Sequence, residues 1–180
     1  MHRIFSTKER IGILRAVIYS EKPVSVSVIA SMVKISKGLV SKYLDILLKK
    51  DIVKKSNGKY LVVDSASTKA VRILLNIMDI ETGIFKKYDF IDAAGLYGSC
   101  ARGENNEDSD VDLWLKTREV SDAKLAPLSA EISRTIKNVK LLFLTKKKIE
   151  NMRKKDELFY HSLAFGSIII YGDKDAIQLQ

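Results

Sequence analysis

The 180-residue chain is short of the residues that staple or punctuate small folds, with one cysteine, two histidines, two prolines and one tryptophan. A lone cysteine, Cys100, cannot close an internal disulfide. With only His2 and His161 beside it, the chain has no Cys/His cluster of zinc-site spacing. Long apolar runs are lacking too. No stretch approaches the roughly 18 residues a membrane-spanning helix needs, and the opening MHRIFSTKER has no apolar run behind its charges. These absences lead to the expectation of a soluble, cytoplasmic protein with no membrane partner. Internal repeats and low-complexity tracts are absent as well. What the chain does have is 46% hydrophobic residues, enough to bury a real core in one large domain or two small ones.

Acidic charge is scarce in one region only. Residues 1–64 carry 13 Lys/Arg against 5 Asp/Glu, whereas the remaining 116 carry 18 against 17, so the first third holds nearly all of the formal net charge of +9. Such asymmetry predicts a polyanion as partner of the first third and a different task for the rest. The plainer alternative is a solvated lysine-rich face.

Periodicity supports the first option. Thr7 to Tyr19 sets Ile11, Leu14, Val17 and Ile18 at helical spacing, with Lys8, Glu9, Arg10 and Arg15 elsewhere. Pro23 breaks the chain, Ser25 or Ser27 can cap a second helix, and Ile29, Met32 and Val33 supply its buried stripe up to Ile35. Ser36 then caps a third helix to about Lys50. In it Val40, Leu44, Leu47 and Leu48 face inward while Lys37, Ser41 and Lys42 face outward. Two strands follow, Val53-Lys54-Lys55 and Tyr60-Leu61-Val62-Val63, joined by Ser56-Asn57-Gly58-Lys59, because Asn-Gly is the strongest short hairpin signal. Short hydroxyls and lysines at a helix start suit phosphates and base edges. The candidate DNA-binding residues are therefore Ser36, Lys37, Ser41, Lys42, Lys54, Lys55, Asn57 and Lys59. Residues 5 to 64 resemble winged-helix transcriptional regulators, whose hairpin is the wing; a winged helix used for protein contacts or a homodimer is the alternative.

Asp64-Ser65-Ala66-Ser67-Thr68 is short and polar and sets a boundary between domains 1–66 and 67–180. Val71, Leu74, Leu75 and Met78 predict a helix next, followed by a second apolar and basic stretch, Ile84 to Tyr88. Ile91 to Tyr97 is a mostly apolar strand that runs into Gly98-Ser99, a small-residue turn that opens a helix. Glycine lets backbone approach a ligand closely, Ser99 offers a hydroxyl, and free N–H groups at a helix start favour anions. Asp110 and Asp112 follow, with Val111 between them and Leu113-Trp114-Leu115 continuing the strand, so alternation sets both carboxylates on one face. Paired carboxylates call for a cation, and hard oxygens suit magnesium shared with triphosphate.

The string GLYGSCARGENNEDSDVDLWL resembles the DNA polymerase beta superfamily, most closely its minimal nucleotidyltransferases, with their Gly-Ser, ten residues, Asp-x-Asp pattern. The resemblance implies that Gly98 and Ser99 hold nucleoside triphosphate phosphates, and that Asp110 and Asp112 bind Mg2+ and are catalytic. The implied reaction is transfer of a nucleoside monophosphate to a hydroxyl. Arg102 is a further phosphate candidate, with pairing to Glu104, Glu107 or Asp108 as its structural alternative. Later elements extend the resemblance over residues 68 to 173: a helix from about Ser121 to Lys137, a strand Val139 to Leu144, a helical run Lys146 to Leu163 and a strand Ile168 to Tyr171.

One departure matters. The superfamily carries a third carboxylate on the strand after the first of those helices. Here that strand reads Val139-Lys140-Leu141-Leu142-Phe143-Leu144, with Lys140 in the acid's place and no acid between Glu131 and Glu150. Two-metal positioning and general-base assistance are thereby impaired, and the lysine can pair with Asp110 or Asp112 instead. Cys100 and Trp114 read as packing residues, with base stacking the alternative for Trp114.

The expected fold is α+β, a winged helix-turn-helix followed by a nucleotidyltransferase-like α/β domain with a small mixed sheet. Three functions remain open to the sequence: a DNA-binding regulator whose second domain binds nucleoside triphosphate and magnesium, an active nucleotidyltransferase acting on a protein or nucleic-acid hydroxyl, and an antitoxin-type partner in a toxin-antitoxin pair.

Overall fold

The computed structural model describes residues 4–172 and 176–177. The chain forms two compact units, Met1–Arg72 with Asn105–Asp108, and Ile73–Glu104 with Ser109–Gln180.

The first unit begins with α1 (Lys8–Ile18), β1 (Val24–Ser25), α2 (Val26–Val33) and α3 (Lys37–Leu48). Each helix starts on a hydroxyl: Thr7, Ser25 and Ser36 accept the N–H groups of Arg10, Val28 and Leu39, each at 3.3 Å. These bonds satisfy donors that the first turn of a helix leaves open. Leu14, Val17, Ile18, Ile29, Val40, Leu44 and Leu47 are buried as expected, whereas Ile11 and Leu48 are only half-buried and Ile13, outside the expected stripe, is buried. One member of the expected stripe is corrected. Met32 is 60% exposed and Ala30 is buried in its stead, because Ile29 and Ala30 set the inward face of a helix only eight residues long.

The predicted hairpin forms as β2 (Val53–Ser56) and β3 (Lys59–Val62), with Ser56 opposite Lys59. Asn57 and Gly58 take φ of 47° and 74°, the doubly positive φ of a two-residue hairpin turn that glycine and asparagine tolerate best. The short β1, unforeseen at two residues, adds to this sheet by pairing Val24 with Tyr60 and Ser25 with Lys59.

Helix α4 (Ala66–Met78) contains the point at which the units divide. Beyond it come a 3-10 turn at Thr82–Lys87, β4 (Ile91–Tyr97), α5 (Gly98–Arg102), β5 (Val111–Thr117), α6 (Asp122–Thr135), β6 (Val139–Leu144), α7 (Lys146–Lys155), α8 (Glu157–Gly166) and β7 (Ile168–Gly172). The strands stand in the order β6-β5-β4-β7, with β5 and β6 parallel and the other pairs antiparallel. The small mixed sheet is thus as expected. The parallel pair requires a crossover, and α6 supplies it.

Alternation along the strands feeds two buried clusters. Leu96, Leu113 and Leu115 join Phe85, Leu128 and Ile132 in one, while Ala93, Trp114 and Leu144 join Ile149, Tyr160 and Leu163 in the other. The helical run expected from Lys146 to Leu163 forms as two helices. Asp156 interrupts it and caps α8 by accepting the Phe159 N–H at 3.2 Å, since a short carboxylate competes for backbone donors. Among the described residues no helix is long and apolar enough to cross a membrane.

Candidate functional site

Strand β4 delivers the chain to Tyr97, and α5 opens at Gly98. Gly98 has φ of 67°, and a Cβ placed on it would collide with the Asp112 carboxylate. Both facts require glycine: the conformation is left-handed, and the backbone lies directly against the Asp112 side chain. Beneath the turn Cys100 is buried, and its thiol donates to the Asp110 carbonyl at 3.4 Å. Its own carbonyl accepts from Asn76 Nδ2 at 2.9 Å. Burial, helped by the charge of Asp112, pushes the thiol pKa up to about 11. Cys100 is a packing residue of the turn, since the thiolate is the nucleophilic form.

Strand register builds the rest of the site. Tyr97 pairs with Asp112 across the antiparallel β4/β5 ladder, and Asp112 pairs with Lys140 across the parallel β5/β6 ladder, making one row over three strands. Asp110 stands just ahead of β5, and its Oδ2 lies 2.5 Å from Lys140 Nζ. That hydrogen bond and charge raise the Lys140 pKa. The Asp112 pKa is raised chiefly by burial; Lys140 opposes the rise, Asp110 adds to it, and Arg102 opposes it last. Burial likewise raises Tyr97, with Asp112 contributing.

The predicted site residues Gly98, Ser99, Asp110 and Asp112 thus meet at one end of the sheet. Arg102 is turned to Glu104, with Nε 2.8 Å from Oε2, the pairing the sequence offered as its alternative. Trp114 is fully buried and its indole N–H donates to Ser167 Oγ at 2.9 Å, which makes it a packing residue. Glu131 is held elsewhere, accepting from Lys87 Nζ at 2.5 Å and Tyr88 Oη at 2.8 Å. Sequence reasoning missed Tyr97 as the row-mate of Asp112. Its place at the end of an apolar strand, next to the glycine turn, was the available signal.

The arrangement does not fit a pair of metal ions. Where the resemblance implies a third carboxylate stands the Lys140 ammonium, and it holds one of the two carboxylates present. Among the described residues no group of three or more His, Cys, Asp or Glu side chains could hold a metal ion.

The second set of predicted residues lies on the first unit. Ser36 spends its hydroxyl on the α3 cap. Lys37, Lys42, Lys54, Lys55, Asn57 and Lys59 are exposed, and Ser41 is half-buried. Lys55 Nζ lies 5.5 Å from the centre of the Tyr60 ring, which steadies it on the hairpin.

Known families match both units. The model of the family Polymerase beta, Nucleotidyltransferase matches residues 81–175, and that of the family Bacterial regulatory protein, arsR family, matches residues 7–55. Three chains of solved structure also match. One of them, from Sulfolobus solfataricus and described as a nucleotidyltransferase, is 19% identical, over 62% of this chain and 90% of that one, with a TM-score of 0.36. No curated protein matches the chain.

Proposed function

We propose, for a chain that belongs to the polymerase beta nucleotidyltransferase family and carries an arsR-type helix-turn-helix ahead of that domain, a DNA-binding transcriptional regulator whose second unit binds a nucleoside triphosphate. In this reading residues 1–66 meet DNA and residues 67–180 meet the nucleotide, in the cytoplasm. The observation that carries it is Lys140 Nζ, 2.5 Å from Asp110 on the strand position paired with Asp112. A site arranged this way keeps a glycine turn for phosphate and two carboxylates. It has given up the third carboxylate that paired-metal transfer chemistry calls on. Magnesium enters as the ion a triphosphate carries with it, and Asp112, without a salt bridge among the described residues, is the carboxylate that supports its binding.

Calorimetry of the full chain with ATP, GTP, CTP and UTP in the presence of magnesium tests the reading. Saturable heat with at least one nucleotide, weakened in Asp112→Asn, is expected. No binding of any of the four by the wild type would end it. Active nucleotidyl transfer is the second reading, favoured by the close fit of Gly98 against Asp112. It predicts transfer of label from a nucleoside triphosphate to a protein or RNA hydroxyl, lost in Asp110→Ala.

A further inference from the structure

We infer that Lys140 is the resident cation of this site, pairing with Asp110 in place of a divalent ion and keeping such an ion out while no nucleotide is present. This rests on the reading of the site as the nucleotide site and concerns its state before the ligand arrives.

Position comes first. Lys140 belongs to β6, and its register against β5 is fixed by Val111 opposite Val139 and Leu113 opposite Leu141, apolar pairs on the face opposite to Lys140. Adjacent strands lie about 4.8 Å apart, so residues paired in register share a face at side-chain contact range. The backbone therefore delivers the lysine to the carboxylates. A long surface side chain that reached them by chance would lack this register.

Contact and chemistry follow. The ammonium lies 2.5 Å from Asp110 Oδ2, and every charged or polar group that raises its pKa belongs to the same row or to Asp110 itself. An ammonium is a compact point charge with three donors, able to do for a carboxylate what a bound ion does. A divalent ion approaching Asp110 must displace it or accept a like charge a few ångströms away, and either costs affinity. The lysine side chain is 66% exposed and its stem is flexible, so an incoming triphosphate, with its own negative oxygens, can draw the ammonium away without moving the strand.

Manganese(II) titration of the full chain, read by electron paramagnetic resonance in the absence of nucleotide, tests the inference in four proteins: wild type, Lys140→Gln, Lys140→Glu and Lys137→Gln. Lys137 is exposed, near the start of the same strand but outside the row, and its substitution removes the same charge. Lys140→Gln should bind manganese about tenfold or more tightly than the wild type. Lys140→Glu, which sets a third carboxylate beside Asp110 and Asp112, should bind more tightly still, and Lys137→Gln should match the wild type. Equal affinity in the wild type and both Lys140 variants, whether tight or undetectable, overturns the inference, as does a gain in Lys137→Gln equal to that in Lys140→Gln. The nucleotide reading fails separately. Absence of ATP binding to the wild type would remove it and leave the metal comparison to be judged by its own result.

Discussion

Cys100 and Lys140 both bond to Asp110, the thiol to its carbonyl and the ammonium to its carboxylate, and both hold their protons to higher pH than usual. Burial, with the charge of Asp112 beside it, keeps the thiol protonated up to about 11. At pH 7 to 8 the native protein should therefore react slowly with iodoacetamide, and rapidly once unfolded in guanidinium, because only the thiolate attacks. The same shift bears on stability. The folded-state pKa lies above the ordinary thiol value near 9, so the contribution is complete below that value and is lost as pH rises from about 9 toward 11. Alkylation as fast in the native protein as in the unfolded one would show that Cys100 is not buried as described. The sequence made the carboxylates and the substitution of lysine for acid legible, because Asp-x-Asp and the strand spacing are local facts. It left open whether Lys140 would take Asp110 or Asp112. That choice is set by register between strands 28 residues apart, Asp112 opposite Lys140, and by Asp110 lying just outside the ladder.

The elements that could be read are those whose signal is complete within a few residues. Ser36 before Lys37, and Asn57-Gly58 between two β-rich runs, each specify a cap or a turn by local chemistry, and both are present. Two features were missed, one fixed by distant partners and one by a local competition between a cap and helix continuation. β1 is two residues whose strand character comes from pairing with Tyr60 and Lys59, and the division between α7 and α8 depends on Asp156 choosing the Phe159 N–H over helix continuation. Met32 was misplaced for a related reason: periodicity alone does not say which of two adjacent faces a short helix buries. The α3 cap carries its own prediction. Ser36→Ala should cost about 1 kcal/mol of stability in urea denaturation, and Ser36→Asn much less, because asparagine can accept the same Leu39 N–H. If the two variants were equally destabilised, the loss would belong to some contact other than the cap.

At the scale of the whole chain the decisive quantity is where the charge lies. Residues 1–64 hold 13 Lys/Arg against 5 Asp/Glu, and the exposed lysines Lys54, Lys55 and Lys59 of the hairpin add to those at the start of α3. The remaining residues are near balance, yet they contain a local concentration of their own in α7, where Lys146, Lys147 and Lys148 are also exposed. A fusion in which DNA is the business of the first unit alone makes these two clusters unequal in a measurable way. DNA binding releases counterions in proportion to the phosphates contacted, so log K against log salt falls with a slope of about 0.9 per contact on duplex DNA. Replacing Lys54, Lys55 and Lys59 together by glutamine should flatten that slope by about one unit for each lysine that meets a phosphate. The matching triple replacement of Lys146, Lys147 and Lys148 removes the same formal charge and should leave the slope as it was, shifting affinity only through the weak long-range field. Fluorescence anisotropy over a salt series distinguishes the cases. An equal flattening by both triple variants would place DNA on both units and would refute the division of labour that the charge distribution supports.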